Sequence, residues 1–409
     1  MKPIKFATPD ISRAEQLAVK KVLESGWLTK GPVVSEFEDR IANICVCDRA
    51  VAFDSCTAAM EITLRVLGIG PGDEVITTPY TYSATAEVIQ NVGAKIVFVD
   101  LAKDSFEMDY EQVAKAITDK TKAIMPVDYG GKLCDYKAIY KVIGEKRELF
   151  KPNSELQEAF GRIVVVADAA HSFGAELDGM KSGILADFTC FSFHVLKNIT
   201  TGGEGGAVVW DDIIGVSNDK VEAQFRLYGD HGQTSRDKKS GWEYDIALFG
   251  YNHIMTNVDA AVGMAQLDRF DEIKEKRIAI THAYDVLFQN CTVAQPMLQH
   301  FGENYTSAMH LYPIKLHTPV ALQVYPKGEE LWRNTLYKAL SEAGVPCNVH
   351  YKPLPMMTAY KQAGYDIFDY PNAYERFASM LTIPYHTELT RDQQCYVVET
   401  IERTAKNLW

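Results

Sequence analysis

The chain contains no apolar run approaching the ~20 residues that a bilayer-spanning helix requires. Its first residues, Met1-Lys2-Pro3-Ile4-Lys5-Phe6-Ala7, carry charge without the continuous apolar stretch of a secretion signal. No CxxC pair occurs: the eight cysteines are scattered from Cys45 to Cys395, and only Cys45 and Cys47 stand close together. Neither a zinc knuckle nor a disulfide framework is therefore expected, and the cysteines read as reduced. Positive charge is also short, with 42 Lys and Arg against 54 Asp and Glu, a formal net charge of -12. This excludes a broad basic surface for nucleic acid or anionic membrane, but not a small anionic substrate held by a local cationic site. The expectation is a cytoplasmic protein with no nucleic-acid partner, no membrane partner and no metal site.

What is present is an ordinary globular composition, 47% hydrophobic and 23% charged over 409 residues. Short β-branched runs at 50–53, 74–78, 95–99, 123–127, 163–167 and 207–210 alternate with helical patterns such as 83–91. That alternation predicts an α/β fold with a largely parallel sheet covered on both faces, whose ligands gather at the carboxyl ends of the strands. The last third changes character. A long helical pattern at 257–289 is followed by strand-like pieces at 309–316 and 346–350 and a charged helix at 391–406. The expected division is a large α/β domain over 12–260 and a small α+β domain over 261–409, joined by residues 1–11. The charged stretch 145–162 reads as a surface insertion. Gly68-Ile69-Gly70-Pro71-Gly72 precedes a strand instead of linking strand to helix, which argues against a dinucleotide-binding turn.

Four elements carry chemistry. Asp168 ends a buried apolar strand and is either a helix cap or a ligand to something cationic. Lys197 lies between an apolar segment and the run Gly202-Gly203-Glu204-Gly205-Gly206. It is either a snorkelling surface residue or a buried amine of depressed pKa, able to form a Schiff base. Ser55-Cys56-Thr57-Ala58 joins a strand to a helix start, which suits a phosphate or a plain N-cap equally. Tyr82 follows the next strand and offers an aromatic face. Together they ask for a flat, phosphorylated, cationic ring held by an amine. Pyridoxal phosphate meets each demand: aldehyde to Lys197, ring nitrogen to Asp168, phosphate to the 55–58 turn, ring face to Tyr82.

These elements occur in order with Gly26-Trp27-Leu28-Thr29-Lys30-Gly31-Pro32, Pro71-Gly72-Asp73-Glu74, Asp168-Ala169-Ala170-His171, Ser192-Phe193-His194, Gly250-Tyr251-Asn252 and His350-Tyr351. The set resembles the DegT/DnrJ/EryC1/StrS family of sugar aminotransferases over nearly the whole chain. The resemblance implies the fold type I architecture of pyridoxal phosphate enzymes, a large mostly parallel-sheet domain with a smaller α+β C-terminal domain. It further implies that Lys197 links to the cofactor and Asp168 holds its ring nitrogen. His171 would contact the phenolate oxygen, and Thr57, the Ala58 amide and Ser192 the phosphate, with Tyr82 stacking on the ring. Asn252 would reach the phosphate of a neighbouring subunit, which implies a homodimer with shared active sites. Thr29, His194, His231 and His350 are candidate substrate residues. Departures are also visible: Ile254 stands where relatives commonly have arginine, Cys56 where glycine is usual, and the glycine turn after Thr201 is one residue longer.

The implied reaction moves an amino group from L-glutamate to a keto sugar, a nucleotide-linked one first of all. A keto-cyclitol acceptor uses the same core, and a non-catalytic cofactor-binding regulator is the reading from another class. A dehydrating branch of the family replaces the lysine by histidine, and Lys197 argues against it.

Overall fold

A computed structural model describes residues 3–234, 240–317 and 332–408. At its centre is a seven-stranded sheet in the order Arg49–Phe53, Gly206–Trp210, Phe188–Ser192, Val164–Asp168, Thr121–Met125, Glu74–Thr77, Lys95–Phe98. Gly206–Trp210 is antiparallel to both neighbours, and the other six strands share one direction. The central strand shows why this sequence forms it. Val164 and Val166 enter one core, while Val165 and Ala167 enter the core on the opposite face. A strand buried on both sides needs apolar residues at every position, and β-branched ones fit the pleat. Helices Cys56–Val66 and Ser83–Asn91 cover one face. Pro32–Cys45 and Asn257–Asp268 lie across the other.

The strand Phe188–Ser192 was not among those expected, because Phe-Thr-Cys-Phe-Ser offers few β-branched residues. The long helical pattern at 257–289 resolves into two helices, Asn257–Asp268 and Phe270–Phe288. Arg269 lies at the break with φ -108° and ψ 11°. Its guanidinium bonds Asp10 at 2.7 Å and Glu15 at 2.8 Å, so it serves the N-terminal segment rather than continuing the helix.

Beyond the break a separate core forms around Tyr284, Leu336, Val397 and Ile401. It includes a three-stranded antiparallel sheet of Ala294–Pro296, Pro313–Leu316 and Met380–Thr382. The strand expected at 346–350 reduces to a single bridge between Asn348 and Thr382, and the last helix runs Arg391–Leu408. The stretch at 145–162 is more than a surface insertion. It contains the short helix Glu155–Phe160, and Gln157 is fully buried. Ser154 Oγ and Gln157 Nε2 donate to the Leu67 carbonyl at 2.7 and 2.8 Å, satisfying an oxygen left open where helix Cys56–Val66 ends. Among the described residues no helix is long and apolar enough to cross a membrane.

Candidate active site

Six strands pointing one way bring their carboxyl ends to one edge of the sheet, and a cavity of about 520 Å³ opens there. Its walls include Ser55, Thr57, Tyr82, Asp168, His171, Ser192, His194, Lys197 and His350. Most of the residues singled out from sequence thus converge from five separate segments on one space. Its volume lies in the usual small-molecule range of ~300–1,000 Å³.

Asp168 is 5% exposed and ends the central strand. Its Oδ1 accepts from the Ala170 amide at 3.1 Å and its Oδ2 from the Thr85 hydroxyl at 2.6 Å. Thr85 Oγ1 lies 2.8 Å from Thr81 Oγ1. A carboxylate can only accept, so the Thr85 proton points to Asp168 and Thr81 must donate to Thr85, giving a directed relay of hydroxyls. Burial pushes the Asp168 carboxyl above its ordinary range; the Thr85 hydroxyl, the Ala170 amide and the nearby Lys197 charge pull the other way. Thr81 and Thr85 were not recognised in the sequence. Their i, i+4 spacing is a helical signal, but Thr81 lies before the helix that begins at Ser83.

Lys197 sits on a turn between Phe188–Ser192 and Gly206–Trp210. Its amide donates to the His194 carbonyl at 2.8 Å. The turn closes through Phe193 N to Gly205 O at 2.8 Å and Thr201 N to Phe193 O at 3.0 Å. Burial lowers the proton affinity of the Lys197 amine, while Asp168, Cys56 and Glu204 raise it. The glycine at 206 is required by contact: a Cβ there would lie 2.3 Å from Cys56 N and 2.4 Å from Ser55 C. The strand therefore passes directly against the start of helix Cys56–Val66.

At that helix start Ser55 is the N-cap, its Oγ accepting from the Ala58 amide at 3.1 Å. The capping role considered for this turn is thus present. Thr57 and Ser192 bring hydroxyls to the same end of the cavity, beside the positive end of the helix. Next to this turn the backbone of Ile254 pairs with Phe53. The adjacent His253 bonds Asp54 through Nδ1 at 2.9 Å, and that carboxylate raises its proton affinity. Where the resemblance led to an expectation of arginine at 254, this stretch offers instead a histidine whose proton affinity a carboxylate raises.

The opposite wall is aromatic. His171 Nδ1 accepts from the Gly130 amide at 3.1 Å, so its proton must be on Nε2, which lies 3.2 Å from the Tyr351 hydroxyl. Burial above all, with smaller contributions from Lys197 and His350, depresses its proton affinity far below the ordinary histidine value. His350 Nδ1 contacts Thr382 Oγ1 at 3.0 Å, and burial lowers its pKa to about 4. His310, which has no mark in the sequence, lies beside His171 with ring centroids 4.3 Å apart and the rings tilted by 33°. Tyr82 stands at the mouth, 63% exposed, with its ring 6.0 Å from that of Tyr351. His194 and Glu204 approach to 3.9 Å at the rim.

Four of the sequence candidates do not line this cavity; one is Ala58, whose amide, expected at the phosphate, donates to Ser55 Oγ instead. Thr29 is exposed, its carbonyl accepting from Asn257 N at 3.2 Å. His231 is exposed at positive φ, and Asn252 is exposed and bridged to Asp230.

The DegT/DnrJ/EryC1/StrS aminotransferase family model matches residues 9–402. The spore coat polysaccharide biosynthesis protein SpsC of Bacillus subtilis is 34% identical, over 98% of this chain and 97% of its own length. Among solved structures, the putative sugar aminotransferase Spr1654 from Streptococcus pneumoniae, in its PLP form, superposes with a TM-score of 0.93. It is 41% identical over the whole of both chains. Helicobacter pylori PseC, an aminotransferase involved in the biosynthesis of pseudoaminic acid, superposes with a TM-score of 0.83 at 25% identity, over 99% of this chain and 100% of its own. Fold, cavity and full-length similarity agree: the chain belongs to the DegT/DnrJ/EryC1/StrS aminotransferase family.

Proposed function

We propose that the chain is a pyridoxal-phosphate-dependent aminotransferase that moves an amino group from L-glutamate to a keto sugar carried on a nucleotide. It would work in the cytoplasm as a homodimer. The observation that carries this reading is the pairing, in one cavity, of a buried carboxylate at a strand end with a lysine whose proton affinity it raises. The residues fit the cofactor in kind: a helix start with the Thr57 and Ser192 hydroxyls for phosphate, Asp168 for the ring nitrogen, Lys197 for the aldehyde. His171, with its proton on Nε2, suits the phenolate oxygen, and Tyr82 can cover the ring face.

When bound, the cofactor supplies the electron sink that lets an amino group leave one carbon and join another. The chain does the rest. Lys197 takes the proton from the donor's Cα and returns one to the acceptor carbon, a task helped by burial, which lowers the proton affinity of its amine. Asp168, tied down by Thr85 and Ala170, keeps its charge directed at one point.

Exposed apolar residues support the dimer. Trp27 is 56% exposed, Trp242 72% and Phe249 99%, on the same stretches as Thr29, His231 and Asn252. A second copy would bring Asn252 to this cavity's phosphate end. All eight cysteines are free, in keeping with a reducing compartment.

The test is a product mass spectrum after L-glutamate and a panel of nucleotide-linked keto sugars and keto-cyclitols. Ile254 favours keeping the second class in the panel, because an uncharged acceptor does not need the missing arginine. Conversion of a keto-cyclitol alone would replace the nucleotide-sugar reading. Replacing Lys197 by alanine should abolish both turnover and the borohydride-trappable visible chromophore; survival of either would sink the assignment.

A further inference from the structure

Asn198 follows Lys197 directly and is buried. Its side-chain Nδ2 donates to the Ala308 carbonyl in a short bond, which leaves Oδ1 as the acceptor. His310 Nδ1 lies 3.0 Å from that Oδ1 and must therefore carry the proton. His310 is itself held. Ala308 N and His310 N donate to the carbonyls of Gly131 and Gly130 at 2.9 and 3.1 Å, and Arg277 Nη1 donates to the Met309 carbonyl at 3.0 Å. Gly130 in turn donates its amide to His171 Nδ1. A side chain on Gly131 would come within 2.9 Å of Met309 N, so this approach of two segments needs glycine.

Building on the functional reading above, we propose that His310 is a positioning residue for Lys197. Its Nδ1–H fixes the Asn198 carboxamide and with it the turn that aims the lysine. Its ring, 4.3 Å from that of His171, holds the neighbouring wall in register. The lysine-bearing turn is otherwise glycine-rich on its far side, and among the described residues the two Asn198 side-chain bonds, to the Ala308 carbonyl and to His310 Nδ1, tie that turn to the 308–311 segment. Proton transfer tolerates little displacement of the amine, and misplacement by ~1 Å can cost ~100-fold.

The rival role is chemical. His310 Nε2 has no hydrogen-bond partner among the described residues, and the ring lines the cavity, so that atom could instead touch substrate. Two isosteric variants separate the roles, because an asparagine amide nitrogen overlays Nδ1 and a glutamine amide overlays Nε2. The experiment uses the full-length holoenzyme and follows the half-reaction with L-glutamate alone, together with visible circular dichroism of the bound cofactor. His310→Gln and His310→Ala should slow the half-reaction about 10- to 100-fold and alter the dichroism, with KM for glutamate held within about 3-fold. His310→Asn should stay within about 3-fold of the unaltered enzyme and keep its dichroism. In an Asn198→Ala background, His310→Ala should add less than about 3-fold, since both act through one contact.

Equal rates in the Asn and Gln variants, or a Gln variant at full rate beside a slow Asn variant, would overturn the proposal. Should His310→Ala fail to fold, the comparison of the Asn and Gln variants decides alone. A wild-type enzyme that gains no chromophore and transfers nothing from glutamate defeats the functional reading. Normal transfer with all His310 variants unaffected defeats only this inference.

Discussion

The hydroxyl relay behind Asp168 makes a quantitative claim. Thr85 is fully buried and supplies the side-chain donor to Asp168 Oδ2, at 2.6 Å. Replacing it by valine keeps the shape and removes that bond. A hydrogen bond to a charged group contributes ~1.5–3 kcal/mol. The loss falls on states in which Asp168 must be ionised. Apoenzyme can escape it, because a buried carboxyl already pushed upward by burial can take a proton instead. The form holding a protonated ring cannot. The loss should therefore appear in cofactor affinity: at ~1.4 kcal/mol per decade, Kd for pyridoxal phosphate should rise about 10- to 150-fold. Thr85→Ser, which restores the hydroxyl, should stay near the parent value. The sign of the pH effect follows: the variant carboxyl binds its proton more tightly still, so cofactor binding should begin to weaken on acidification at a higher pH than in the parent. Absorbance titration of apoenzyme with cofactor reads both quantities. A Thr85→Val enzyme with parental Kd across pH 5 to 8 would refute the relay and the assignment of Asp168 with it.

Two further outcomes follow from contacts elsewhere. Gly206→Ala forces a Cβ to 2.3 Å from backbone Cys56 N; since neither strand nor helix start can yield cheaply, the variant should lose several-fold in soluble yield and fail to bind cofactor in a dialysis assay. His300 is 3% exposed, and burial holds its pKa at about 4 against an ordinary 6.5. Its neutral form thus supports the fold fully above pH 6.5, and that support drains away as pH falls toward 4. His300→Gln should remove about 3 kcal/mol from the pH 7 to pH 4 difference in unfolding free energy measured in urea, and an unchanged difference would show that His300 does not titrate as described.

The strands and the chemistry at their ends were legible because both depend on local pattern. Runs such as Val164-Val165-Val166 announce a doubly buried strand, and Asp168 and Lys197 stand where strand ends place ligands. What escaped was tertiary. Phe188–Ser192 is a strand because it lies between two others, not because of its own residues. The helix break at Arg269 answers to Asp10 and Glu15, some 250 residues away in sequence. His310 is one of ten histidines, with nothing in its neighbours to set it apart. Its place beside Lys197 is made by Gly130, Gly131 and Asn198 together.

These tertiary contacts settle where protons reside. The Gly130 amide puts the His171 proton on Nε2, the Asn198 carboxamide puts the His310 proton on Nδ1, and the Thr81–Thr85 relay commits its protons toward Asp168. The two histidine protons are placed by groups that do not titrate, a backbone amide and an amide side chain, and the relay is directed by the ionised Asp168 carboxylate. His171, His310 and His350 are all held toward the neutral form by burial. A cationic imidazole in that wall would be repelled by the Lys197 ammonium. With the surrounding proton positions pinned, burial lowers the Lys197 proton affinity and Asp168 raises it, a balance that suits the proposed shuttling of a proton between two substrates. A chain with net charge -12 thus handles its chemistry through donors fixed in direction rather than through accumulated positive charge.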